Sequence, residues 1–141
     1  MAQSTESEVL VKQRKILQYP PVYAAKFKAG PYRPPDGKVL HDEYLNKDVE
    51  VEGKTDALIP WPGMSHEKGR HAGLLPILCG DLVRAVVEED EGVVAHYWGV
   101  TLYMVNQWKQ AIAGAKTSTE VHVLLQMKRL DPEFRKKFGY K

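Results

Sequence analysis

The chain has 141 residues and a formal net charge of +2, which allows one compact domain with a modest core. Its 43% hydrophobic and 27% charged residues are the mixture of a soluble globular protein. No run approaches the roughly 20 apolar residues of a membrane span, and MAQSTESEV lacks the basic-then-apolar order of a signal peptide. The single cysteine, Cys79, excludes an internal disulfide and suits a reducing cytoplasm, the expected location.

Charge is unevenly spread: residues 1–38 carry a net +4, residues 39–108 a net −7 and residues 109–141 a net +5. Residues 1–37 read as a basic, proline-rich arm. Thr5 and Glu8 make a capping box for a short helix, with Lys12, Arg14 and Lys15 toward its far end. Tyr19-Pro20-Pro21 ends it. Five prolines and two glycines in residues 19–37 then favour an extended surface path. Tyr23, Phe27 and Tyr32 interleave with Lys26, Lys28 and Arg33. Such a pattern can follow a phosphate backbone, or the rings can pin the segment to the domain.

Residues 38–76 read as a β-hairpin and a strap. Strands over 38–44 and 48–54 flank Leu45-Asn46-Lys47, and Val49 and Val51 alternate with Glu50 and Glu52. Two strands alone are barely stable, so the apolar face must lie on helices. In Ile59-Pro60-Trp61-Pro62-Gly63 two prolines lock the backbone around one large indole. It either plugs the core or stands out as a peg for a partner. Residues 63–73 have the composition of a loop. His66 and His71 there are five apart, with Gly69 between them, which fails the spacing of a helical zinc site. His41, His96 and His122 are scattered, so neither metal nor cofactor is expected. Phosphate loops, nucleophile elbows and Cys–His pairs are missing from the sequence, which points away from an enzyme. The paired acids Asp42 and Glu43, like the run Glu88, Glu89, Asp90 and Glu91, read as solvated charges at element ends.

Residues 77–114 hold the strongest helical periodicity. Asp81 reads as the N-cap of a helix ending near Glu89. A short helix over 93–98 closes at Gly99, and a third runs over 102–112 until Gly114 stops it. A short helix, a glycine turn and a second helix make a helix-turn-helix unit. Ala95 sits four residues before Gly99, where only a small side chain fits, and Val100, Val105 and Trp108 close the core. This stretch resembles the helix-turn-helix, homeodomain-like DNA-binding family. With the upstream IPWP, LPILCGDLVRAV and VAHYWGV runs it also looks like a group of uncharacterised bacterial proteins carrying this unit. The resemblance implies a trihelical core whose third helix enters the major groove of duplex DNA.

At about 100° per residue, Leu102, Val105, Trp108 and Ile112 fall on one stripe of the third helix. Tyr103, Asn106, Gln107 and Gln110 fall opposite. All four can donate and accept hydrogen bonds and none is charged. Asn and Gln can pair bidentately with adenine in the major groove, so these four are the candidate base readers. The same face also fits a merely solvated helix. Leu102, Tyr103 and Met104 stand where related units carry small polar or basic residues. Thr101, Lys109, Lys116, Lys136 and Lys137 are the candidate phosphate contacts.

Residues 115–141 read as basic C-terminal helices. Thr117 and Glu120 form a capping box before Val121, Leu124, Leu125 and Lys128 on one stripe. Asp131-Pro132 opens another helix carrying Phe134 and Phe138, which Gly139 ends. These helices could cover the core or join two copies in a homodimer. The expected fold is therefore mainly α with a small β-hairpin (α+β), built on a trihelical helix-turn-helix core over 77–114. The expected function is sequence-preferring binding of double-stranded DNA in transcription regulation, close to the nucleoid. The alternative is a protein–protein interaction module on the same scaffold.

Overall fold

The computed structural model describes residues 27–65 and 73–140. The expected capping box of Thr5 and Glu8, the basic residues Lys12, Arg14, Lys15 and Lys26, the ring of Tyr23, and His66 and His71 lie outside those residues. The described residues form a mixed α+β fold of five helices and two small antiparallel sheets.

The first sheet is the expected hairpin. β1 (Val39–Asp42) pairs with β2 (Lys47–Glu50), Leu40 lying opposite Val49 and Asp42 opposite Lys47. It is shorter than alternation suggests. β2 ends at Glu50, Val51 N adds one more bond to the Lys38 carbonyl at 2.8 Å, and β3 (Gly53–Lys54) joins a different, three-stranded sheet with β4 (Pro62–Ser65) and β5 (Leu74–Pro76), in the order β3-β4-β5. Gly63, Met64 and Ser65, expected in a loop, are strand residues paired with Pro76, Leu75 and Leu74 in turn. Their composition is that of a turn, and long-range pairing overrides it.

Asp42 and Glu43 are not the solvated pair expected. Asp42 is buried; it accepts hydrogen bonds from Leu78 N at 2.7 Å and Leu45 N at 3.0 Å. The Glu43 amide in turn donates to the Leu78 carbonyl at 2.8 Å. The end of β1 thus fixes the chain just before the first helix. Burial raises the Asp42 carboxyl above its ordinary value, and the backbone donors work against that rise.

α1 (Asp81–Glu88) is the central rod: every residue from Leu82 through Val87 is buried, Arg84 included. A helix buried on nearly every side needs to be enclosed by the rest of the chain. Asp81 is its first helical residue rather than its N-cap, and Gly80 occupies the cap without a side-chain bond. The Asp81 carboxylate instead accepts from Arg33 N at 2.9 Å and pairs with Arg84 at 3.2 Å. α2 (Glu91–Trp98) begins two residues earlier than expected and closes at Gly99, φ 71°. α3 (Leu102–Ala113) follows, stopped by Gly114 at φ 71°. α3 lies against α1, α2 and α4 (Ser118–Leu130). The capping box before α4 is not closed. Thr117 Oγ1 meets Thr119 Oγ1, and Glu120 accepts from Lys116 N instead of Thr117 N. Before α5 (Pro132–Lys137) the cap is as read, Asp131 accepting from Glu133 N at 3.0 Å.

Trp61 is fully buried and meets Trp98 edge-on, with centroids 5.7 Å apart. The proline strap is therefore a plug, not a peg. Tyr32 also meets Trp98, at 5.6 Å, and Phe27 closes on Tyr32 and Tyr97. Those two rings do pin the extended segment to the domain. Arg84 holds its backbone, donating to the carbonyls of Ala29 and Pro31, with its guanidinium 4.5 Å above the Tyr32 ring. One apolar cluster runs from Tyr32 through Trp61, Leu82 and Val105 to Leu125 and Phe134. At the α2–α3 turn a Cβ on Gly99 would stand 3.0 Å from that of Ala57. Ala95, expected where the two helices approach, is half-buried and packed against the core.

Candidate nucleic-acid interface

α3 carries the candidate readers, and both its ends are satisfied. Thr101 Oγ1 accepts from Met104 N at 3.0 Å, and the Gly114 amide returns to Ala111 and Gln110 carbonyls. The hydroxyl assigned to a phosphate is thus first of all the N-cap of this helix. Val105, Trp108 and Ile112 face the core and are buried. Leu102 departs from the expected stripe: 52% exposed, it stands in the first turn of α3, beyond the edge of the core.

The opposite face is open but graded. Tyr103 is 70% exposed and Asn106 is exposed, whereas Gln107 and Gln110 are half-buried. Asn106 and Tyr103 therefore project furthest, and the two glutamines stand at its flanks.

The candidate phosphate contacts separate into two groups. Lys109 turns back toward α2, pairs with Glu91 at 3.7 Å and has a side chain only 19% exposed. Lys116, at the α3–α4 turn, is exposed. Lys136 and Lys137 are exposed on α5 and line a cleft of about 980 Å³. Ala111 and Gly114, from the last turn of α3, form one wall, and Glu43, Tyr44 and Asn46 of the hairpin turn form another. The structure thus brings Lys136 and Lys137 beside the C-terminal end of α3, away from Thr101 and Lys109. Lys137 leans on Glu43 at 3.6 Å and over the Phe138 ring at 5.2 Å.

Lys128, Tyr44 and Asn46 also line this cleft and were not singled out by sequence reasoning. Lys128 falls on the apolar stripe of α4, and only its position 5.7 Å above the Phe134 ring turns its ammonium to the cleft. Asn46 carried a signal that could have been used, its place in the expected turn, where it adopts φ 57°.

The acidic run at the α1–α2 corner divides: Glu88 and Glu89 are enclosed by partners, while Asp90 and Glu91 are exposed, as expected, and form ion pairs. Glu88 accepts from the Tyr140 hydroxyl at 2.8 Å and pairs with Arg129 at 3.4 Å. Glu89 is buried and accepts from Lys28 N, Ala29 N and, at 2.6 Å, the Tyr32 hydroxyl. Asp90 pairs with the Lys28 ammonium at 3.3 Å. Burial, then the hydrogen bond to Glu89, raises the Tyr32 phenol, so it stays a neutral donor. Burial holds the His96 imidazole below its ordinary value.

No helix among the described residues is long and apolar enough to cross a membrane. Comparisons with family models, curated proteins and solved structures find no match to this chain.

Proposed function

We propose that the protein binds double-stranded DNA with sequence preference, laying the outer face of α3 in the major groove. One observation carries the reading: a helix locked to the core by Val105, Trp108 and Ile112 turns uncharged Tyr103 and Asn106 outward, with half-buried Gln107 and Gln110 at their flanks. On this reading α1, α2 and α3 act as a trihelical helix-turn-helix unit, with Asn106 and Gln107 as the principal adenine readers. Lys116, Lys136 and Lys137 hold phosphates, and Thr101 and Lys109 set the position of the helix.

The test is fluorescence anisotropy against a duplex selected from a random library and against a scrambled one. Asn106→Ala and Gln107→Ala each weaken the selected duplex by about 1–3 kcal/mol and leave the scrambled one unchanged. Equal losses on both would remove base reading. Lys136→Ala weakens both alike and shallows the salt dependence by about one unit.

A protein-interaction module is the second reading, favoured by α4. Val123, Met127 and Leu130 recur at helical spacing and are exposed, opposite the stripe of Val121, Leu124 and Leu125 that faces the core. Apolar side chains on both sides of one helix are what a partner or a second copy would cover. Under this reading the wild type sediments as a complex and Met127→Glu as a monomer.

A further inference from the structure

The outer face of α4 ends at the corner where α1 stops. Arg129, in the last turn of α4, donates to the Val87 carbonyl at 2.7 Å and pairs with Glu88 at 3.4 Å. One residue on, Leu130 is 79% exposed, and Val123 and Met127 continue its stripe back along the helix. At about 100° per residue these three side chains lie within about 60° of one another. The charged side chain at the edge of their stripe is an acid, Glu120, and it is exposed.

Phe27 and Lys28 reach the same corner. Lys28 donates from its backbone to Glu89 at 3.1 Å and from its ammonium to Asp90 at 3.3 Å, next in sequence to the Glu88 that holds Arg129. Residues 1–26 therefore join the fold at the corner that also holds the last turn of α4. The ten steps from Leu17 to Phe27 span about 33 Å when extended, and the 13 residues of α4 about 20 Å. The tether is long enough to reach any part of the stripe.

The sequence of that segment suits the stripe. At about 100° per residue, Val9, Leu10, Ile16 and Leu17 fall within an arc of about 120°, behind the capping box of Thr5 and Glu8. Lys12, Arg14 and Lys15 fall outside that arc, so its apolar strip is flanked by cations where the α4 strip is edged by an acid. A helix of this length is marginal alone in water, and an apolar surface is what stabilises it.

We propose that residues 9–17 of the same chain dock on Val123, Met127 and Leu130 as an amphipathic helix. Size favours this occupant over a second copy. Three apolar side chains on two turns fall short of the roughly 1,000 Å² that a stable dimer buries. A tethered segment can hold so small a patch, because its linker keeps it at an effective concentration on the order of millimolar. The inference does not rest on DNA reading by α3.

The experiment puts the photo-cross-linker p-benzoylphenylalanine in place of Met127 in the full chain, at an exposed site outside the core. An equal mixture of unlabelled and heavy-nitrogen-labelled chains is irradiated, and the linked peptides are read by mass spectrometry. Links run from residue 127 to residues 9–17 of the same chain. Their yield falls at least about tenfold when the probe stands instead at Val39, 54% exposed on β1, or when Leu10→Glu and Ile16→Glu are combined. Links that join labelled to unlabelled chains would give the α4 stripe to a second copy and overturn the proposal. It is overturned equally if residues 9–17 are not captured, if the probe at Val39 captures them to the same extent, or if the double substitution leaves the yield unchanged.

Discussion

Glu89 stands second in a run of four acids, and nothing in that run distinguishes it from its neighbours. Its burial is decided by Tyr32, 57 residues away, whose hydroxyl donates to it. Local sequence is blind to such a pairing, which is why the whole run reads as solvent-facing. Tyr32→Phe removes one donor and should lower the unfolding free energy by about 1–2 kcal/mol. Glu89→Ala strands two backbone amides and the phenol, and should cost about 3 kcal/mol. Urea melts measure both; a Glu89→Ala variant as stable as wild type would mean that the carboxylate does not hold the extended segment. Cys79 gives a second test at this scale. Burial pushes its thiol from 9.0 up to about 12. Iodoacetamide at pH 8 should therefore label it only as urea unfolds the protein. The folded value exceeds the unfolded one, so this thiol's share of stability is complete below pH 9 and disappears as pH rises toward 12. Rapid labelling of the native protein at pH 8 would contradict the burial.

The helices were legible in the sequence because their signals are local. The apolar spacing of Val105, Trp108 and Ile112 and the stops at Gly99 and Gly114 fix α3 without reference to the rest of the chain. The second sheet was not legible, since β3, β4 and β5 together supply nine residues and are joined by pairing at a distance. The outer face of α3 could be read by periodicity, whereas the cleft beside it could not. Its walls come from the hairpin turn, α3 and α5, which only the folded chain brings together. The two stopping glycines provide a controlled comparison. Both have φ 71°, but a Cβ on Gly99 would stand 3.0 Å from that of Ala57, and one on Gly114 would meet nothing within 4 Å. Gly114→Ala should cost only the left-handed backbone term, about 1–2 kcal/mol. Gly99→Ala should cost more, because Ala57 must also give way. Equal losses in melting temperature would show that the Ala57 contact yields freely.

Across the whole molecule, the charge asymmetry has an internal use that segment totals conceal. The acidic middle and the basic ends suggest two clamps for an outside polyanion, yet Lys28, Lys109 and Arg129 all turn to the acidic corner at Glu88, Asp90 and Glu91. Among the described residues Arg33, Lys38, Lys47, Lys54, Lys116, Lys136 and Lys137 are exposed, so the salt dependence of any DNA binding should fall short of the full basic count by at least the three side chains that turn to the acidic corner. The aromatic centre ties the same parts together. Tyr32 comes from the extended segment, Trp61 from the strap and Trp98 from α2, and their rings meet edge to face in one cluster. If that cluster makes one cooperative unit, removing the ring that the strap contributes should weaken every part at once. Trp61→Ala should cost about 3–5 kcal/mol. In a single core, the helical signal in the far ultraviolet and the tertiary signal in the near ultraviolet should still fall together along a urea gradient, at a lower midpoint. A variant that lost its tertiary signal early while the helices persisted would instead mean that α1 to α5 hold without the strap.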